Sequence, residues 1–439
     1  MYDGCVLAAS LRKQALAQAC AVCLPSQEVN ERNGDISSTI QRGLSRATVV
    51  VLGWMKSSGL NSSTMSRFLF LIYAIALVLS CAVEPWAQAS QQTPQANDWM
   101  RVPGTEWERA KPESLGYSSA RLEALRGWLK TRQTAAMMVV VHGKVIFEYG
   151  DLSLATKVAS VRKSVLGMLY GNYVFNGKID LDKSVKELGL EDREPFLPIE
   201  ERATLEQLLT ARSGIYLPSG NKDLDLDMPK RGSEYPGTHF VYNNWDFNAA
   251  GTAFEKLTGK NIYDAVETDI ARPIAMQDYD RSRQRKIPTI SVHPEYHFDL
   301  STRDMARLGL LMQRGGNWNG KQIIPGDWIR YTTTLVTPFN DISPTSLHIA
   351  GRPERWGYGA MWWLWDAPVF PGRIYDGPLQ GAYTAMGTGG QYITVLPKED
   401  IVIAHKVNID KDGRANISPE GYDAVLAMVI DSKCAGWCP

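Results

Sequence analysis

The chain of 439 residues carries 47 Lys and Arg against 47 Asp and Glu, with 44% hydrophobic and 21% charged side chains. That length accommodates two domains and a large core, and the composition is ordinary globular usage. Because the two signs balance there is no basic field to hold nucleic acid, which is excluded as a partner.

Residues 1–64 lack a sustained apolar pattern, are rich in Ser and Asn, and read as an extension annexed by a misplaced start codon. Met65-Ser66-Arg67, the apolar run from Phe68 to Val83 and Ala87-Gln88-Ala89 then make a signal peptide over 65–89, with export and a mature start near Ser90. A signal anchor leaving 1–67 in the cytoplasm is the rival, but so short a run is poor for a span, so no stable membrane span is expected in the mature chain. Lipidation of Cys81 is a third option, although Val78-Leu79-Ser80 fits the usual lipobox badly. Of six cysteines only Cys434 and Cys438 remain after cleavage, and in an oxidising compartment they can close a small C-terminal loop.

Past a polar leader, Ser118-Ser119 caps a helix with Leu122, Leu125, Trp128 and Leu129 on one side. Met137 to Tyr149 reads as a hairpin turning at His142-Gly143-Lys144. Ser160-Val161-Arg162-Lys163 then opens an apolar helix through Val165, Leu166, Met168 and Leu169, with Gly167 and Gly171 allowing close neighbours. A Ser and a Lys three residues apart on a helix lie one turn apart on one face. Lys163 can take the Ser160 proton only if burial or a second cation lowers its pKa. The helix N-terminus adds unpaired N–H groups, so the Ser160 amide is placed to hold an oxyanion. An ordinary N-cap Ser beside a solvated Lys is the competing reading. Ser10 and Ser219 share the spacing, but Ser10 precedes the export signal and Ser219 lies among turn formers in Pro218-Ser219-Gly220-Asn221.

Residues from about 176 to 315 are expected to be mostly helical with Pro- and Asp-rich loops. Tyr242-Asn243-Asn244 follows a turn and a short extended piece and precedes a helix expected over Asn248–Leu257. From such a loop the Tyr242 phenol can relay a proton, and the Asn244 amide can orient Lys163 or a substrate carbonyl. His293 and His297 hint at metal, but Pro294 opposes a helix holding both and no third ligand is evident; no metal is expected. The ring-rich run Trp356 to Trp365 lines a rim or packs a sheet, and packing is favoured. Gly387-Thr388-Gly389-Gly390 is expected at the head of a strand, Tyr392–Leu396, which turns at Lys398-Glu399-Asp400 into Ile401–Ala404. Bare glycines let substrate lie against backbone, and Thr388 can offer a second oxyanion N–H. A helix from Gly421 to Ile430 closes the chain.

In this order the three blocks resemble the serine β-lactamase and penicillin-binding-protein superfamily, whose signature is Ser-x-x-Lys, Ser/Tyr-x-Asn and Lys-Thr-Gly. The Tyr form resembles the branch holding class C β-lactamases, carboxylesterases, D-aminopeptidases and 6-aminohexanoate-dimer hydrolases. Thr204 to Thr210 with Ser213-Gly214-Ile215, and Arg303-Asp304-Met305-Ala306-Arg307-Leu308-Gly309, agree, and the likeness runs from about residue 105 to 430. It implies Ser160 as the acylated nucleophile, Lys163 and Tyr242 sharing acid and base work, and Asn244 orienting. Ser160 and Thr388 amides would form the oxyanion hole, with Gly387 and Gly389 against the substrate. Where β-lactamases carry Lys or His before Thr-Gly, this chain has Gly387, so the cation for a β-lactam carboxylate is missing.

The expected fold is α/β (α+β) and β-lactamase/transpeptidase-like. An antiparallel sheet domain from 90–175 and 316–439, flanked by helices, receives a mostly helical domain over 176–315. The expected function is an exported serine hydrolase, free of cofactor, acting on a small amide or ester through an acyl-enzyme. A β-lactamase or D-amino-acid peptidase is the alternative, and a non-catalytic penicillin-binding-like module the second.

Overall fold

The apolar runs Thr134–Val141 and Ile401–Val407 have no polar alternation that would leave one face in water, and both become inner strands of a seven-stranded antiparallel sheet. The computed structural model describes residues 100–220, 228–342, 355–366, 377–412, 417–436 and 438. The expected extension 1–64 with Ser10, and the signal peptide 65–89 with Cys81, lie outside the described residues. Strands β1 (Thr134–Val141), β2 (Lys144–Gly150), β3 (Trp356–Tyr358), β4 (Trp363–Trp365), β5 (Tyr383–Gly387), β6 (Gln391–Leu396) and β7 (Ile401–Val407) lie in the order β2-β1-β7-β6-β5-β4-β3. The β1–β2 hairpin turns at His142 and Gly143, with φ of 50° and 74°, the left-handed pair that a two-residue turn requires.

The main helices are α1 (Ser119–Lys130), α2 (Val161–Phe175), α3 (Asn244–Thr258), α4 (Thr302–Gln313), α5 (Gly326–Thr332) and α6 (Pro419–Asp431). Side chains alternate across a strand, so Tyr392 and Thr394 of β6 face one way and Ile393 the other. On the first face α6 stacks Tyr422 on Tyr392 at 3.7 Å between ring centroids, and Thr394 Oγ1 lies 2.7 Å from the Tyr422 phenol. Helix α1 packs beside α6 with Leu122, Leu125 and Leu129 buried. On the opposite face α4 comes so close that a Cβ on Gly309 would lie 2.5 Å from Val402 Cγ1 and 2.8 Å from Ile393 Cγ2. Helix α2 lies against β5 on that second face, where Gly387 meets the backbone of Val158 and Ser160.

Two expectations need correction. Helix α4 belongs to the sheet layer, not to a separate helical body reaching residue 315, because Gly309 lets it seat directly on β6 and β7. The stretch 176–315 also carries short strand pairs, Arg285–Ile287 with Glu295–His297 and Asp299–Leu300 with Thr156–Lys157. The glycine block leads into β6 as expected, but its first residue, Gly387, ends β5, and Thr388, Gly389 and Gly390 form the turn between the two strands, because φ of 85° and 100° at Gly389 and Gly390 reverses the chain at once. Among the described residues no helix is long and apolar enough to cross a membrane.

Candidate active site

The chain reaches Ser160 along a pinned path. Thr156–Lys157 pairs with Asp299–Leu300, Val158 N–H donates to Phe298 O at 3.0 Å, and the buried Lys406 amine donates to the carbonyls of Thr156 (2.9 Å) and Leu300. Ala159 then takes φ 46°, left-handed backbone that costs an L-residue roughly 1–2 kcal/mol, and Ser160 follows as the N-cap of α2. As an N-cap its hydroxyl would accept from a first-turn amide, yet it makes no capping bond. Ser160 Oγ lies instead 2.8 Å from Lys163 Nζ, and Nζ lies 2.9 Å from the Tyr242 phenol oxygen. The backbone N–H of Ser160 has no acceptor among the described residues, which leaves it open at the positive end of a fifteen-residue helix.

Lys163 is 1% exposed with no carboxylate at hydrogen-bond distance. Burial, and then the neighbouring Arg162 charge, hold its pKa well below the ordinary value, with Glu295 opposing. Nζ also lies 4.4 Å and 4.9 Å from the ring centroids of Tyr242 and Phe247, contacts that favour the charged amine. They are worth about 0.5–2 kcal/mol, against a desolvation penalty of several kcal/mol for a buried ammonium, so burial outweighs them and the net shift is downward. A neutral amine can accept the Ser160 proton while donating to the phenol. Burial pushes Tyr242 up to about 12, so its phenol keeps its proton at neutral pH.

Tyr242 is held by rings. Phe247, Trp363 and Tyr358 pack on it at 5.1, 5.3 and 5.9 Å between centroids, so part of the Trp356–Trp365 run walls the Tyr242 phenol in addition to packing the sheet. Helix α3 begins at Asn244, four residues earlier than expected, because the Asn243 side chain caps it by accepting from Asp246 N–H at 2.8 Å. Ser213 donates to Asp246 Oδ1 at 2.6 Å and Val241 N–H donates to Ala211 O, which fastens the Tyr242 loop to the Ser213-Gly214-Ile215 segment. The Arg303–Gly309 phrase is structural here: Asp304 accepts from the amides of Gln277 and Asp278, and Arg307 donates to the carbonyls of Ile274, Gly104 and Thr105.

Asn244 does not reach Lys163. Its Nδ2 donates to Glu295 Oε1 at 3.3 Å, drawing it into a group that the three motif blocks do not encode: Arg162, Asn248, Glu295 and His297. Its signals in the sequence are the second cation inside the Ser160–Lys163 block and His297, singled out by its spacing from His293. The glycine turn sits against Ser160, since a Cβ on Gly387 would lie 3.1 Å from Ser160 N and 2.5 Å from Val158 O. The turn is fixed from behind by Gln391 Nε2 donating to Val407 O at 2.8 Å and His405 Nδ1 to Gly390 O at 2.7 Å. Thr388 is exposed at its tip, with Gly389 buried. Ser219 is buried outside any helix; His293 and His297 turn to Thr252 and Glu295.

Solved structures of the same architecture have low identity, so the likeness is one of fold. A Bacillus anthracis protein assigned as a 6-aminohexanoate-dimer hydrolase matches with a TM-score of 0.53 at 21% identity, covering 75% of this chain and 87% of that one. A family VIII carboxylesterase matches at 0.52 and 16% identity, covering 75% and 98%. An uncharacterised protein of Alkalihalophilus pseudofirmus is 22% identical over 285 residues, 61% of this chain and 75% of that protein. The Beta-lactamase family model matches residues 123–427, a span that contains all three motif blocks and all seven strands of the sheet, and the chain therefore belongs to the β-lactamase family.

Proposed function

We propose that the protein is an exported serine hydrolase that opens an amide or ester bond through an acyl-enzyme on Ser160. The observation that carries this reading is the 2.8 Å approach of Ser160 Oγ to a lysine whose charge is suppressed by burial. Lys163 takes the hydroxyl proton as Ser160 attacks the carbonyl carbon. The open Ser160 N–H and the Thr388 amide receive the oxyanion, and Tyr242, 2.9 Å from Nζ, passes a proton to the leaving amine or alcohol. Water then repeats the sequence on the ester intermediate.

The substrate is a simple ester or linear amide in preference to a β-lactam. Gly387 carries no cation, and its backbone stands too close to Ser160 for a side chain to be added there. The names of two structural neighbours, a 6-aminohexanoate-dimer hydrolase and a carboxylesterase, agree with that class. Export is supported by the Cys434–Cys438 disulfide, a bond that persists in oxidising compartments. A panel of p-nitrophenyl esters, 6-aminohexanoate dimer, D-alanyl amides and nitrocefin tests the substrate class. Short esters or the linear dimer should lead; a kcat/KM for nitrocefin above that for every ester and linear amide contradicts it.

A further inference from the structure

Arg162 is 2% exposed and adjoins a lysine that is 1% exposed, so two buried cations stand side by side at the start of α2. Buried guanidinium groups normally take a close, two-pronged carboxylate. Here Nη2 lies 3.7 Å from Glu295 Oε1, Nη2 also donates to Asn248 Oδ1 at 2.9 Å, and the guanidinium carbon stands 4.5 Å from the centre of the Tyr296 ring. Glu295 is itself shared, with Oε2 3.0 Å from His297 Nε2 and Oε1 accepting from Asn244. One shared carboxylate cannot neutralise two buried cations. A guanidinium keeps its charge in a protein, so a second positive charge on the neighbouring amine is disfavoured.

We propose that Arg162 and Glu295 are positioning residues that act on Lys163 from opposite sides, the buried Arg162 guanidinium disfavouring a second positive charge beside it and the shared Glu295 carboxylate favouring one. The assignment rests on acyl-enzyme chemistry at Ser160. It makes Arg162 the second cation that the Ser-x-x-Lys arrangement needs, supplied from inside the motif. The other groups around Lys163 are the Tyr242 phenol, protonated at neutral pH, and the Tyr358 phenol behind it, pushed up by burial. From the strand 295–297 come Tyr296, also pushed up by burial, and His297, which burial lowers while Glu295 opposes. The Asp246 carboxyl beyond the rings, bonded to Ser213, is pushed up by burial. Glu295 is held down to about 2, first by its bond to His297 and against the cost of burial, so it stays charged while Lys163 titrates.

The test is the second-order rate constant for labelling by an alkyl fluorophosphonate, followed by intact mass across the pH range, which reads Ser160 nucleophilicity without knowledge of the substrate. Arg162→Gln should move the acid limb of that profile up by about one pH unit, and Glu295→Gln should move it down by a similar amount. Arg162→Lys, which keeps the charge, should leave the limb near its wild-type position. A merely structural role lowers the plateau and leaves the limb in place. If Arg162→Gln does not fold, the near-isosteric Glu295→Gln carries the test alone. Folded variants whose acid limbs stay at the wild-type pH overturn the proposal, and so does Arg162→Lys behaving like Arg162→Gln. Wild-type protein that is never labelled on Ser160 overturns the acyl-enzyme reading itself, a failure distinct from an unmoved limb.

Discussion

A Cβ on Gly387 would lie 3.1 Å from the backbone nitrogen of Ser160, and the carbonyl oxygen of Val158 would be only 2.5 Å from it. The third motif is therefore a close-packing device beside Ser160 as well as a site without a cation. Gly387→Ala must push β5 away from backbone atoms that cannot rotate aside, an overpacking cost of about 1–3 kcal/mol. Misplacing the reacting groups by about 1 Å costs on the order of a hundredfold in rate. Thermal melts and fluorophosphonate labelling of Gly387→Ala should show both losses. Gly387→Lys should fare no better and gain no nitrocefin turnover; a stable Gly387→Lys that hydrolyses nitrocefin would contradict the packing argument.

Lys163→Ala and Tyr242→Phe should each lower kcat on p-nitrophenyl acetate by about two to four decades, the range for a lost proton-transfer group. The double variant should lose far less than the sum, because the groups act as a unit. Ser219→Ala, which alters the buried decoy with the same Ser-x-x-Lys spacing, should keep near wild-type kcat. Additive losses, or a collapse in Ser219→Ala, would place the chemistry elsewhere.

Burial pulls the Lys406 amine from its ordinary 10.5 down to about 7, with Asp299 and Asp410 opposing. Between those values the unfolded chain binds more protons than the folded one, so this group makes stability climb as pH rises through the window. Lys406→Met removes that climb along with the donors to Thr156 O and Leu300 O. Denaturant melts across the window should therefore show wild type gaining on Lys406→Met as pH increases. A difference that stays constant, or shrinks toward high pH, would mean that Lys406 is not buried in charge-excluding surroundings.

Export makes a separate prediction. Secreted or periplasmic material should begin near Ser90 and carry no free thiol, with the Cys434–Cys438 bond seen by intact mass before and after reduction. N-terminal sequencing that finds residues upstream of Met65 in exported protein would remove the signal-peptide reading.

The parts of this molecule that sequence displays are those encoded by neighbours in the chain. Ser160 and Lys163 are one helical turn apart, the hairpin at His142-Gly143 advertises its turn, and β6 alternates in plain view before the polar turn into apolar β7. Tyr242 could be placed by the motif order, yet its ring walls from Tyr358 and Trp363 depend on an edge of the sheet folding back, which no local pattern encodes. Glu295 and Asn248 reach Arg162 from distant segments, so the buried group beside Lys163 was invisible until the chain was folded. The Asn244–Glu295 contact is hidden for the same reason: the cap at Asn243 starts α3 early and turns the next amide toward Glu295. The edge of the sheet layer was misplaced because Gly309 reads as a mild helix defect in sequence and as a docking point in space.

The most direct test is where a covalent adduct forms. Full-length or mature protein treated with an alkyl fluorophosphonate should gain one adduct, peptide mapping should place it on Ser160, and Ser160→Ala should gain none while remaining folded. An adduct that persists in Ser160→Ala, or that maps to Ser219, would contradict the assignment of Ser160 as the nucleophile.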